Sequence, residues 1–202
     1  MILGSGGYGK TVKDIAEQLG YEIIAVLDDC FSDSPLSFFD NYISDDVEFI
    51  VAFGNNELRI KWCERILQSG GRLATLIHST AYVSPRARIE AGTVILPKAV
   101  INQGTRVGMG CIINLGAIID HGCIIEEGVH ICLGAIVKGE NRVKSLKKIE
   151  AGKVIEARIW PEKYLKDLEK LAKFEGYYDD AKAESGRSTP HRPGKAENRA
   201  AA

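Results

Sequence analysis

The 202-residue sequence carries almost no net charge, with 26 Lys and Arg against 27 Asp and Glu. That balance excludes a nucleic-acid or polyanion binder that works by bulk electrostatics. No stretch approaches the ~20 consecutive apolar residues of a membrane-spanning helix. Met1 runs directly into apolar residues and a glycine loop, without a basic segment or cleavage site, so no signal peptide is expected. The five cysteines (Cys30, Cys63, Cys111, Cys123, Cys132) show no CxxC spacing. An odd, scattered set of this kind implies free thiols in a reducing, cytoplasmic setting. Histidine is scarce, at His78, His121, His130 and His191. With 45% hydrophobic residues the chain can nevertheless bury a sizeable core, in one large or two small domains.

Residues 1–77 alternate short apolar runs with helical patterns. Ile2-Leu3-Gly4 ends a strand, and Gly9 to Leu19 reads as a helix with Val12, Ile15, Ala16 and Leu19 on one face and Gly20 at C′. Glu22–Leu27, Glu48–Phe53 and Leu73–Ile77 read as further strands. A second helix over Asn56–Gln68 is expected to turn Leu58, Trp62, Ile66 and Leu67 inward. Strand–helix–strand repetition with short connections indicates a parallel sheet.

From 81 to 155 the period becomes six. Val83, Ile89, Ile95, Ile101, Val107, Ile113, Ile119, Ile125, Ile131, Val137, Val143, Ile149 and Ile155 follow without a break. A small residue commonly stands two places before each, as at Ala99, Cys111, Ala117 and Cys123, and Gly recurs three places after. This is the signature of a solenoid of short parallel strands, three hexads or about 18 residues to a coil. The branched aliphatic points inward, and Gly permits a positive φ at the corner. Cys111 and Cys123 are then small buried residues. Asn141 and Lys147 break the small-residue rule. Past the solenoid, Trp160-Pro161 opens a helix over 159–176, and 177–202 has the composition of a disordered tail.

Gly4, Gly6 and Gly9 form a GxGxxG loop between strand and helix, with Asp28 and Asp29 about 20 residues on. A helix N-terminus with close backbone approach suits a diphosphate. Three readings stand: a nucleotide-sugar, a dinucleotide cofactor, or a tight turn. A dinucleotide needs two mononucleotide halves, and 77 residues provide barely one. Among the histidines, His78 at the domain junction reads as a packing or capping residue, whereas His121 sits at a hexad corner beside Asp120. A neutral imidazole is a suitable base for an amine or hydroxyl attacking a thioester.

The loop Gly4-Ser5-Gly6-Gly7-Tyr8-Gly9-Lys10, the pair Asp28-Asp29, the stretch Ala52-Phe53-Gly54-Asn55-Asn56-Glu57 and Ile119-Asp120-His121 within hexads resemble one family when taken together. It is the left-handed parallel β-helix sugar acetyltransferases, in particular the UDP-N-acetylbacillosamine N-acetyltransferase and sialic acid O-acetyltransferase group. The resemblance covers roughly residues 1–140. It implies an α/β N-terminal Rossmann-like domain (1–77), a left-handed parallel β-helix (78–158) and a C-terminal helix. Parallel crossovers in general favour the opposite hand. It also implies a UDP-sugar held by Gly6, Gly7, Tyr8, Asp28, Asp29, Gly54 and Asn55; Tyr8 stands where the family commonly has His. His121 with Asp120 is implied as the general base, and His130 and Gly139 as contacts for acetyl-CoA. The co-substrate needs no metal. A homotrimer is implied, with coenzyme sites between neighbouring β-helices.

Relatives commonly place a carboxylate or amide directly after the catalytic histidine; here that residue is Gly122. Lys138, one coil on, is expected to stack over Asp120 and compete for it. The function that emerges is acetyl-CoA-dependent transfer to the amino group of a UDP-amino-sugar. O-acetylation of a sialic acid or other sugar is the first alternative. A non-catalytic nucleotide-sugar-binding protein with a shortened β-helix is the second. A zinc enzyme of the γ-carbonic-anhydrase kind is the third, although it needs three convergent histidines and the repeats offer two at different corners.

Overall fold

The computed structural model describes residues 1–30 and 34–156. The helix expected over 159–176 and the tail at 177–202 lie outside the described residues. At the N-terminus, β1 (Ile2–Leu3) leads to α1 (Gly7–Gln18), then β2 (Val26–Leu27), a 3₁₀ turn (Leu36–Tyr42), β3 (Glu48–Val51), α2 (Asn56–Gln68) and β4 (Arg72–Leu73). The four strands form one parallel sheet in the order β2-β1-β3-β4. α1 buries Val12, Ile15 and Ala16 as its periodicity requires, and Gly20 leaves the helix at φ +85°. Only Val26–Leu27 pairs within the expected strand 22–27, where Ile24 faces solvent. The expected strand 73–77 is two strands, and Leu76–Ile77 already belongs to the solenoid.

The six-residue period folds as a triangular prism of two-residue strands, coiled left-handedly. One face stacks Leu76–Ile77, Val94–Ile95, Ile112–Ile113, His130–Ile131 and Lys148–Ile149. A second stacks Tyr82–Val83, Val100–Ile101, Ile118–Ile119, Ile136–Val137 and Val154–Ile155. The third stacks Arg88–Ile89, Arg106–Val107, Ile124–Ile125 and Arg142–Val143. Every pairing is parallel with an offset of 18, as in Ile113↔Ile131. The second residue of each strand points inward and forms one continuous core with Ala99, Cys111, Ala117, Cys123 and Ala135.

The small-residue position also has a polar duty. Thr93 and Thr105 each donate a hydroxyl to the carbonyl fifteen residues on, those of Gly108 and Asp120, and the Cys111 and Cys123 thiols reach Glu126 and Lys138 in the same way. Asn141 follows the same rule with a longer arm. Its Nδ2 donates to the Glu156 and Lys138 carbonyls at 2.8 Å, so it is buried without breaking the coil, which runs on to Ile155.

The first residue of each strand points outward and differentiates the faces. On the first face Leu76, Val94 and Ile112 are buried against Ile2, Val12, Ile15 and Ile50, so the N-terminal sheet covers it. The third face presents Arg88, Arg106 and Arg142 and stays wet. The second presents Tyr82, Val100, Ile118, Ile136 and Val154, with Tyr82 55%, Ile118 40% and Val154 41% exposed.

α2 turns differently from its apolar pattern. Leu58 and Leu67 face solvent, whereas Arg59, Ile60, Cys63 and Ile66 are buried. The helix lies along the glycine corner of the prism. A Cβ on Gly110 would stand 2.8 Å from Ile60 Cδ1, and one on Gly128 2.6 Å from Ile60 Cγ1. Arg59, 1% exposed, gives Nε to the Gly110 carbonyl at 2.6 Å and Nη2 to the Gly128 carbonyl at 2.8 Å. Its remaining donors reach the Phe53 carbonyl and Asn56 Oδ1. A guanidinium keeps its charge in proteins, so burial is tolerated only because these oxygens surround it. Arg59→Met keeps the volume and removes the donors, leaving two corner carbonyls unsatisfied. It should lower unfolding free energy by on the order of 3 kcal/mol in urea titrations; an unchanged midpoint would show that α2 is held by apolar contact alone.

Candidate functional site

β1 and β3 are neighbours whose following connections lead to opposite sides of the sheet order, and a crevice opens at such a switch point. The loops after them, 4–6 and 52–55, meet there. Gly4 sits at φ +108° with no room for a Cβ, which would lie 2.9 Å from the Ala52 carbonyl; one on Gly9 would be 2.2 Å from the Gly4 carbonyl. These two glycines are demanded by packing. Gly6, at φ −63°, and Gly7 are different, since a Cβ on either meets nothing within 4 Å. They line an open cavity of about 510 Å³ with Ser5 and Lys10. α1 starts there without a side-chain cap and without an acidic residue in its first turn. Unused N–H groups, the positive end of the helix dipole and Lys10 together favour an anion. Ser5 Oγ is buried there without a partner.

The other residues expected at this site divide. The Asp28 carboxylate is buried and accepts the backbone N–H of Ser5 at 2.7 Å and of Cys30 at 2.8 Å, so it braces the glycine loop. Asp29 is exposed and accepts from Leu36 N. Gly54 is open to solvent, and Asn55 caps α2 by accepting from Leu58 N at 2.8 Å. Tyr8 does not join the cavity lining. It packs against the core, its hydroxyl enclosed without a partner, and burial pushes its pKa up, opposed by nearby Arg59.

His121 occupies the corner between the second and third faces. Its Nδ1 lies 3.0 Å from Asp120 Oδ1, which also accepts the His121 backbone N–H at 2.7 Å and Asn102 Nδ2 at 3.1 Å. The histidine side chain is 49% exposed. Hydrogen bonds from the His121 ring and backbone hold the Asp120 carboxyl below the usual carboxylate range, with Asn102 adding to them. An ionised Asp120 keeps the imidazole proton on Nδ1 and leaves Nε2 as an acceptor. Lys138 pairs with Glu156 and leaves Asp120 to His121. Gly139 lies directly against the imidazole: a Cβ there would be 2.6 Å from Cε1 and 3.0 Å from Nε2. Asn102, one coil below Asp120, was not singled out in the sequence, although the offset of 18 identifies it.

The remaining titratable groups have structural duties. His78 Nδ1 accepts from Thr80 N, and Nε2 contacts Gln18 Oε1 at 3.1 Å. Burial pushes the Cys111 thiol up to about 12 and Cys123 to about 11. Among the described residues no group of three His, Cys, Asp or Glu side chains could hold a metal ion.

His130 is the first polar residue in the outward column of the covered face, just above Ile112. Asn114 Nδ2 lies 3.0 Å from its Nε2, and its Nδ1 is buried without a partner. Asn114 is a second residue the sequence did not flag. Burial, with Arg59 and Lys148 nearby, pulls the His130 pKa down from 6.5 to about 4. The ring is therefore a neutral donor with an unused N–H. Between pH 6.5 and about 4 the unfolded chain binds a proton here that the folded chain does not, so stability falls as pH drops through that window. His130→Gln should flatten this part of the stability–pH curve, read as urea midpoints above and within the window. Equal losses in both proteins would show that His130 titrates as in water.

Residues 1–66 match the family model described as the PglD N-terminal domain. A UDP-N-acetylbacillosamine N-acetyltransferase of Bacillus subtilis (strain 168) is 34% identical over 107 residues, an alignment covering 47% of this chain and 50% of the relative. The chain thus spans about half the length of that curated relative. The acetyltransferase domain of PglB from Neisseria gonorrhoeae FA1090, solved with acetyl coenzyme A, superposes with a TM-score of 0.70 at 35% identity, covering 76% of this chain and 79% of that one. A mutant of perosamine N-acetyltransferase from Caulobacter crescentus, solved with CoA and GDP-perosamine, shares the fold with a TM-score of 0.68 at 23% identity, covering 77% and 87%. The anion-ready glycine loop, the left-handed prism and the His–Asp corner occur here on a sequence more than 30% identical to that PglB domain, and the chain belongs to the left-handed β-helix sugar acetyltransferase family.

Proposed function

We propose that this chain is an acetyl-CoA-dependent N-acetyltransferase that acts on the amino group of a UDP-amino-sugar by direct transfer. The observation that carries the proposal is the His121–Asp120 pair, which leaves His121 Nε2 free to accept a proton at an exposed corner. The N-terminal parallel sheet with its helices acts as a Rossmann-like nucleotide-sugar domain, with the diphosphate on the α1 N-terminus at Gly6 and Gly7. The solenoid that begins at Leu76 acts as the acyltransferase domain. The sugar amine attacks the thioester carbonyl, its proton passes to His121 Nε2, and the C–S bond of the tetrahedral adduct breaks to release CoA, whose sulfur receives that proton. Backbone N–H groups at the coil corners, Gly139 among them, stabilise the oxyanion. Asn114 and the unused Nδ1–H of His130 offer donors to acetyl-CoA. A hydroxyl acceptor would need the same base.

His121 and His130 sit on different sides of the apolar second face, which nothing among the described residues covers. A homotrimer that buries Tyr82, Ile118 and Val154 between copies would remove that surface from water. It would also bring the His121 corner of one copy beside the His130 face and nucleotide cavity of the next. Free cysteines and use of acetyl-CoA fit a cytoplasmic enzyme.

Two substitutions test this. His121→Ala should cut CoA release from UDP-N-acetylbacillosamine and acetyl-CoA by about 10²–10⁴, with little change in melting temperature. Ile119→Ala, two residues away but inside the prism, should cost about 2–5 kcal/mol in stability. A His121→Ala protein that turns over normally would move the base elsewhere. Gly6→Val should weaken UDP binding in calorimetry while leaving folding intact, because Val tolerates φ −63° and a Cβ there has nothing within 4 Å. Unchanged UDP affinity would leave the loop only a structural turn.

A further inference from the structure

Packing fixes where the His121 ring lies. The imidazole fills the bare side of Gly139, where a Cβ would stand 2.6 Å from Cε1. Packing does not decide which ring nitrogen carries the proton, and a base acting through Nε2 needs that nitrogen bare. The hydrogen bond made by the other nitrogen decides it.

The direction of that bond can be followed back to the backbone one coil below. Asn102 stands under Asp120, in a column set by the pairing of Ile101 with Ile119. Its Oδ1 accepts the backbone N–H of Gln103 at 2.7 Å. A backbone N–H can only donate, so that end of the amide is the oxygen and the other end is the NH₂ group. Nδ2 then donates to Asp120 Oδ1 at 3.1 Å. The same oxygen accepts the His121 backbone N–H at 2.7 Å and faces Nδ1 at 3.0 Å. Two N–H donors already point at Oδ1, so the proton between it and Nδ1 belongs to the ring.

The two corners are tied on either side of this chain of bonds. Gly122 N donates to the Gln103 carbonyl at 3.0 Å, and Thr105 Oγ1 donates to the Asp120 carbonyl at 2.8 Å. The device recurs at Asn114, whose Oδ1 accepts Leu115 N at 2.8 Å and whose Nδ2 meets His130 Nε2 at 3.0 Å. There the amide acts on an imidazole directly; at Asn102 it acts through a carboxylate. His78 is the opposite case. Thr80 N donates to its Nδ1 at 3.1 Å, which puts the proton on Nε2, facing Gln18 Oε1.

We propose that Asn102 is a positioning residue for the transfer: by donating to Asp120 it holds His121 as the Nδ1–H tautomer and keeps Nε2 open to the acceptor's proton. The assignment rests on the reading of His121 as the base and deepens it. Without the amide, Asp120 loses its fixed orientation, the imidazole proton is shared between both nitrogens, and only a fraction of the molecules is competent.

The test is the histidine tautomer, read by ¹⁵N NMR on the full chain labelled at histidine, at a pH where the imidazoles are neutral. The His121 signals are identified by their loss in His121→Gln, and His78 supplies an Nε2–H reference in the same spectrum. Asn102→Asp keeps the oxygen that caps Gln103 but has no donor, and Asn102→Ala has neither. Both should show mixed tautomers at His121 with His130 unchanged. Both should lower kcat about tenfold, the worth of one hydrogen bond to a charged group, with the KM for acetyl-CoA and the affinity for UDP retained. The added carboxylate of Asn102→Asp stabilises the imidazolium, so it should also move the acid limb of the kcat profile to higher pH, and Asn102→Ala should not. Variants that keep the Nδ1–H form, or that lose melting temperature and both substrates together, would overturn the proposal and leave Asn102 only a turn residue. Mixed tautomers with unchanged kcat would instead remove His121 as the base, while the hold of Asn102 on its tautomer would stand.

Discussion

The rest of the molecule depends on the stacking offset of 18 residues. Once Ile113 sits under Ile131 and Ile119 under Val137, each residue's neighbours above and below are fixed. The inward column then needs branched aliphatics, the corner needs a left-handed φ, and the place between them needs a small side chain with a donor for the carbonyl fifteen residues on. Thr93, Thr105, Cys111, Cys123 and Asn141 are five answers to that last demand. The site uses the same constraint. Asn102 reaches Asp120 because it lies one coil from its partner.

A prism of this kind is stiff but has no cleft, and the N-terminal sheet supplies one by docking on a single face. Two contacts make the docking specific. Outward Leu76, Val94 and Ile112 continue the core of the small sheet, and α2 sits on the glycine corner with Arg59 saturated by carbonyls. The glycines at 110 and 128 thus serve twice, permitting the corner and admitting a helix. The same docking encloses His130, and burial, with Arg59 nearby, lowers its pKa.

Charge is distributed by role. His121 remains half exposed and is oriented by an ionised Asp120. His130 is enclosed and neutral, as suits a hydrogen-bond donor. The α1 terminus with Lys10 is positive. A chain of formal net charge −1 thereby holds an anion-attracting cavity and a histidine corner braced by a carboxylate on separate elements.

The sequence by itself determined the prism, because its period is written in thirteen successive Val or Ile residues and each coil repeats the same local choice. It also placed the glycine loop and the His121–Asp120 pair, which are contiguous in the chain. Three things were decided only by tertiary structure. α2 buries Arg59 and Ile60 instead of Leu58 and Leu67, since a charged residue becomes an interior one only when carbonyls from another element surround it. Asp28 braces the loop and Tyr8 turns from the cavity, because a side chain's partner depends on which loops meet at the sheet's edge. The apparent break at Asn141 is a continuation, for its partner lies a coil away, where linear spacing gives the distance but not the contact.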